Sequence, residues 1–357
     1  MERYGGAPGR GGGRLRAGVS RWWRGEAGGI LWRGASVALA PAEAAYGAAV
    51  RLRNALYASG IRRAHRVGVP VLSVGNLAVG GTGKTPVARW LAALLEARGA
   101  RVAVLHGGYA ADEPELHRLW RPGSLVLAMR DRVAAARLAI AQGATVLVLD
   151  DGFQHRRLHR DLDLVLVSAE SWTARPHLLP RGPWREPPGA LARAGAIAVT
   201  RRAASQAAAQ RVAAEVATFA RGAIVARIHL HPAGWRSGGD VRAEGPKGGA
   251  VAVAGVAEPE LFFANARQAG ADIEATLVFP DHHAYTRQDL ERIAAVAGGR
   301  AVVTTAKDAV KLRALEAELD LWILEQEVIV EEGLEALTAA MDRLLDRTFA
   351  RKEGRAS

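Results

Sequence analysis

The alternation of apolar and polar positions divides this chain into short buried strands and amphipathic helices. Val69 to Val74 is an apolar run of strand length, and Lys84 to Arg98 follows with helical periodicity. Arg101–His106 predicts a second strand, Arg130–Gln142 a helix, and Thr145–Asp151 a buried parallel strand ending in two carboxylates. Leu162–Val167 and Ala196–Val199 read as further strands, and Ala203–Phe219 as a helix. After an extended stretch, Ile224–Lys247, the alternation resumes at Gly249. Helices are predicted at Pro259–Gly270, Arg287–Ala297 and Lys307–Leu319, with strands between them, and a last helix at about Glu332–Leu345. The fold class is α/β: a parallel sheet with helices on both faces, joined to a second, smaller α/β domain.

The first strand and helix enclose Gly80-Gly81-Thr82-Gly83-Lys84-Thr85. Strand, glycine-rich turn and helix form the context of a phosphate-binding P-loop, although Ala78 stands where the strict pattern has its first glycine. Glycines let successive N–H groups curl around an anion, and the helix N-terminus adds partial positive charge. Lys84 is then expected on the β- and γ-phosphates of ATP and the Thr85 hydroxyl on Mg²⁺. Asp150 and Asp151, at a strand C-terminus where open α/β sheets bind ligands, make the matching Walker B acids. The loop after them, with Gln154 and His155, is crowded with polar and aromatic groups.

Other candidates have structural readings beside the chemical one. Asp112 opens Asp-Glu-Pro-Glu, and by spacing alone it is an ordinary helix N-cap. Asp281-His282-His283 lies at a strand C-terminus but lacks helical metal spacing, so zinc is not expected. Thr305 and Asp308 read as an N-cap with its reciprocal acid. Arg181 and Arg185, in the Pro-punctuated loop Leu178–Pro187, are within the vocabulary of anion binding, but solvated loop arginines are the commoner case.

Charge changes the picture at one end only. Residues 1–70 hold twelve Arg and three Glu, a net +9 of the chain's +12, so the body is not a uniformly basic nucleic-acid binder. Residues 1–19 read as a disordered Gly/Arg tail. Residues 20–60, with Trp22, Trp23 and Trp32, read either as a membrane-interface segment or as a helical pair packed on the fold, interrupted at Pro41. No apolar run is long enough to span a bilayer, and the start does not have the form of a secretory signal. Cysteine is absent, which excludes disulfides, thiolate metal sites and a cysteine nucleophile.

In order, VGNLAVGGTGKTP, DEP, VLDDGFQHRRL, LLPRGPWREP, AVAGVAEPELFF, FPDHHAYT and TTAKDAVKL resemble the tetraacyldisaccharide 4′-kinase family, over about Trp22 to Leu345. The resemblance implies transfer of the ATP γ-phosphate, with Mg²⁺, to the 4′-hydroxyl of a tetraacyl glucosamine disaccharide 1-phosphate in lipid A biosynthesis. It implies a P-loop kinase domain at 61–223, a linker ribbon at 224–248 and a smaller domain at 249–350, with the active site between domains. It implies a glycolipid partner and a peripheral position on the cytoplasmic face of the bacterial inner membrane. Nucleic acid and an obligate protein partner are not implied. Asp112 matches the acid that deprotonates the sugar hydroxyl and His282 its partner histidine, while Gln154 and His155 match the active-site loop. The chain departs from the family in three places. Gly107 replaces an Arg, only two residues separate Tyr109 from Asp112, and Ala306 replaces a Glu. Two alternatives stand beside this reading: a kinase for another glycolipid, and a nucleotide-binding membrane protein without transferase activity.

Overall fold

The computed structural model describes residues 2–5, 18–19, 22–23, 29–108, 112–121, 123–281, 283–316 and 318–356. The chain divides into two compact units, 29–230 with 328–357, and 1–28 with 231–327.

In the first unit the strands are β2 (Val71–Asn76), β3 (Val102–His106), β4 (Leu125–Ala128), β5 (Val146–Asp150), β6 (Leu162–Ser168), β7 (Ala196–Arg201) and the first half of β8 (Ile224–Ser237). They lie in the order β8-β7-β6-β2-β5-β3-β4, all parallel. β5 explains why the strands read as continuous apolar runs. Val146 and Val148 face one core, Leu147 and Leu149 the other, so both faces are covered. The helices are α1 (Ile30–Ala58), α2 (Lys84–Glu96), α3 (Asp112–Trp120), α4 (Arg132–Ala141) and α5 (Gln206–Phe219). On one face α2 buries Val87, Leu91 and Leu95; on the other α4 buries Val133, Ala136 and Ala139. Asp131 caps α4 through the N–H groups of Val133 and Ala134.

The second unit holds a parallel sheet, β1-β11-β10-β12-β13, from β1 (Glu2–Gly5), β10 (Gly249–Ala254), β11 (Asp272–Val278), β12 (Ala301–Thr304) and β13 (Leu321–Glu332). Its helices are α6 (Pro259–Gln268), α7 (Arg287–Ala297) and α8 (Ala306–Arg313). The end of β8 turns back antiparallel on β9 (Asp240–Arg242), within the stretch expected to be a ribbon.

Three features differ from the sequence reading. Glu2–Gly5, in the tail expected to be disordered, pairs with β11, because an edge strand offers unpaired backbone groups whatever its partner's composition. The segment with Pro41 is one helix of 29 residues, not a helical pair. Proline deletes one donor there, while α1 gains contacts along its length: Tyr46 donates to the Arg185 carbonyl at 3.1 Å and Glu43 accepts from the Leu178 N–H at 2.7 Å. Finally, the end of β13 and the last helix, α9 (Leu334–Ala356), belong to the first unit rather than the second. Leu337, Met341 and Leu345 of α9 complete the core under α2.

Candidate active site

The loop between β2 and α2 is shaped by glycine at the point where it becomes a helix. Gly83 has φ 84°, and a Cβ there would lie 2.2 Å from Leu230 Cδ1. No side chain caps the first turn of α2 and no acid lies in it, so its N–H groups and dipole face outward without competition. Asn76 at the end of β2 donates from Nδ2 to Thr82 Oγ1 at 2.9 Å, and Thr200 Oγ1 donates to the Thr82 carbonyl at 3.1 Å. These bonds fix the loop between two strand ends. Thr85 is buried at the start of α2.

Lys84 Nζ lies 3.8 Å from Asp151 Oδ1 and 3.5 Å from the Gly80 carbonyl oxygen. Burial pulls the Lys84 ammonium below its ordinary value, and Asp151 opposes that pull. Asp151 is held with φ 56°, a left-handed conformation unusual for a non-glycine residue. Arg185 grips it with both arms, Nη1 to Oδ2 at 3.0 Å and Nη2 to Oδ1 at 2.8 Å, and Nη2 also bonds Asn76 Oδ1. Burial alone would raise the Asp151 carboxyl; Lys84, Arg185 and His106 outweigh it and hold it at about 2. With the unfolded value near ~3.9, this pairing stabilises the fold above that pH and is lost as pH falls through about 2.

Asp150 has a different environment. It is buried, its Oδ2 accepts from His117 Nε2 at 3.0 Å, and its Oδ1 is buried with no hydrogen-bond partner. Glu113, on the same helix as His117, bonds His106 through Oε2 and Nε2. Gln154 donates to the Asn76 carbonyl at 2.9 Å and to Glu186 Oε1 at 3.2 Å. Glu186 is fully buried and also takes Asn54 of α1 and both arms of Arg193.

The fold thus brings Gly80–Thr85, Asp150, Asp151 and Gln154 to neighbouring strand ends. His155 follows Gln154 in the same loop, where burial and then Arg132, Arg160 and Arg157 push its imidazole down to about 4. Asp112 is the first residue of α3, and His282 lies outside the described residues. Arg185 is the residue the sequence reading undervalued, since it is ion-paired rather than solvated. Asn76, Glu113 and His117 were missed altogether. The one available signal was helical spacing, because Glu113, Leu116, His117 and Trp120 form a single stripe.

Chemically, an uncapped helix start beside a lysine and two strand-end carboxylates suits a nucleoside triphosphate with a hard cation. The unpartnered Asp150 Oδ1 is the oxygen most in need of one. Among the described residues no three carboxylates or imidazoles form a metal cage.

The family model described as tetraacyldisaccharide-1-P 4′-kinase matches residues 35–124 and 110–345. The chain belongs to this family. A tetraacyldisaccharide 4′-kinase of Anaeromyxobacter sp. (strain K) is 41% identical over 91% of this chain and 94% of its own length. That of Geobacter metallireducens is 38% identical over 84% and 95%. Among solved structures, LpxK from Aquifex aeolicus in complex with ATP aligns with a TM-score of 0.70 and 28% identity, covering 87% of this chain and 99% of that one. Family membership makes the chain a kinase of the α/β class, with ATP as its nucleotide.

Proposed function

We propose that this chain transfers the γ-phosphate of ATP to the 4′-hydroxyl of tetraacyldisaccharide 1-phosphate in lipid A biosynthesis, at the site built on Lys84. The observation that carries this reading is the uncapped start of α2, with Lys84 and Asp151 beside it, in a chain of this family. The loop Gly80–Thr85 cradles the phosphates, and Lys84 neutralises charge that grows on them in the transition state. Arg185 keeps Asp151 ionised and fixed in its left-handed turn. Thr85 and Asp150, with Asp151, are the residues that would hold Mg²⁺, which when bound offsets phosphate charge. Asp112 accepts the proton of the attacking hydroxyl, and His282 supports it. Gln154 ties this loop to the end of β2.

Mass spectrometry after incubation with ATP, Mg²⁺ and the purified disaccharide 1-phosphate tests the proposal. A product heavier by one phosphate is expected. Unmodified disaccharide with intact ATP binding would overturn it in favour of a nucleotide-binding protein without transferase activity.

The acceptor is a lipid, and α1 is the surface that suits it. No helix among the described residues is long and apolar enough to cross a membrane. Instead α1 exposes an Ala-rich face with Val37 and Leu52, with Arg33 near one end and Arg51 toward the other. We place this face on the cytoplasmic leaflet of the inner membrane as a peripheral contact. Val37→Glu with Leu52→Glu is expected to move the protein from anionic vesicles to the soluble fraction in flotation, and salt to weaken binding of the parent. Undiminished flotation of the double variant would make the face structural only.

A further inference from the structure

Between β3 and α3 the chain has little length to spare, since five residues separate His106, the last of β3, from Asp112, the first of α3. The start of α3 therefore depends on what fastens it. β3 and β5 are parallel neighbours, paired through Leu105 and Leu149, and each ends at the next residue, His106 and Asp150. α3 meets both ends through reciprocal acid–imidazole pairs. Its Glu113 bonds His106 of β3, and its His117, one helical turn on, bonds Asp150 of β5 at 3.0 Å.

The proton positions are specified by these contacts. The Gly108 N–H points at His106 Nδ1 at 3.3 Å, so Nδ1 accepts, and Nε2 carries the proton donated to Glu113. His117 likewise donates from Nε2 to Asp150 Oδ2. Both His117 and Asp150 are about 1% exposed, so water cannot replace this bond. With Oδ2 held by His117, Oδ1 is left as the unpartnered buried oxygen.

We infer that His117 is a positioning residue, and with the Glu113–His106 pair forms a clamp that sets Asp150 and the start of α3 for phosphoryl transfer. The inference rests on the function proposed above for Asp150 and Asp112. His117 touches no substrate in this scheme; it acts through the carboxylate it orients and through the helix on which it sits. A group that orients a metal-side carboxylate commonly carries a tenfold or greater share of affinity or rate.

The experiment compares two neutral replacements in the full-length chain. His117→Leu fills the buried space but removes the donor, whereas His117→Gln keeps an amide N–H of similar reach. For His117→Leu, both kcat and Mg²⁺-dependent affinity for a non-hydrolysable ATP analogue are expected to fall ~10–100-fold. His117→Gln is expected to recover most of that loss. If the position served packing alone, Leu would be the better tolerated of the two. Equal losses in both variants, or a Leu variant matching the parent, would overturn the clamp. A ¹⁵N spectrum of the unmodified protein keeps the test decisive if His117→Leu does not fold. His106 and His117 should both carry the Nε2–H tautomer, and an Nδ1–H tautomer at either would overturn the assignment. The nucleotide-binding and spectral arms need no acceptor. A parent protein that binds nucleotide and transfers no phosphate therefore counts against the proposed function, while the clamp is still judged by those two arms.

Discussion

Lys84→Ala is expected to lower phosphoryl transfer at least ~100-fold, the scale of losing one preorganised electrostatic group at a transition state. Lys84 lies at the mouth of the loop, between the Gly80 carbonyl and Asp151. Arg185 cannot stand in for it, because its two arms are committed to Asp151 and Asn76. Those same bonds should preserve the fold of the variant, since Asp151 keeps two hydrogen bonds after losing the lysine. Steady-state kinetics with thermal unfolding separates the two effects: a large loss of kcat at nearly unchanged Tm. Near-parental turnover would remove the P-loop assignment.

The strand–loop–helix context of Lys84 was legible because each part depends on local chemistry. A buried parallel strand needs an unbroken apolar run, as in Val146–Leu149, and a tight anion loop needs glycine, as at Gly83. The N-cap reading of Thr305 was legible for the same reason: its hydroxyl accepts from the Asp308 N–H at 3.1 Å. What escaped was tertiary. The apolar stripe of α9 states that it will be buried, not on which unit, and Leu337 and Met341 go to the core under α2. Pro41 is a helix breaker by local rules, yet α1 continues through it, supported by Glu43, Tyr46 and Asn54 on the Leu178–Glu186 loop.

Site residues divide along the same line. Asp150 and Asp151 were visible as adjacent acids at a strand end, but their environments diverge for reasons outside that strand. Arg185 comes from the Pro-punctuated loop and His117 from α3. A salt bridge between residues 34 apart in sequence leaves no periodicity to read. The short connection before Asp112 raised the question whether α3 starts in reach of the chemistry. Its bonds to His106 and Asp150 tie the helix to the ends of β3 and β5, the second of which leads into Asp151.

The proposed acid–base pair carries the largest effect expected of any single substitution. Asp112→Asn and His282→Ala are each expected to cut kcat by ~10²–10⁴, the usual worth of a positioned general base. Asparagine keeps the size of Asp112, but it cannot accept the proton of an attacking hydroxyl. Without that base, positive charge builds on the sugar oxygen as it attacks phosphorus. Nucleotide affinity should change little, because the phosphate loop is built from other residues, Gly80 to Thr85. The double variant should be little worse than either single one, since groups that act as a unit lose their shared function once. Additive losses would mean that the two residues act independently. Kinetics on the parent, both single variants and the double variant make the decision, and Asp112→Asn turning over at the parental rate would remove Asp112 from the chemistry.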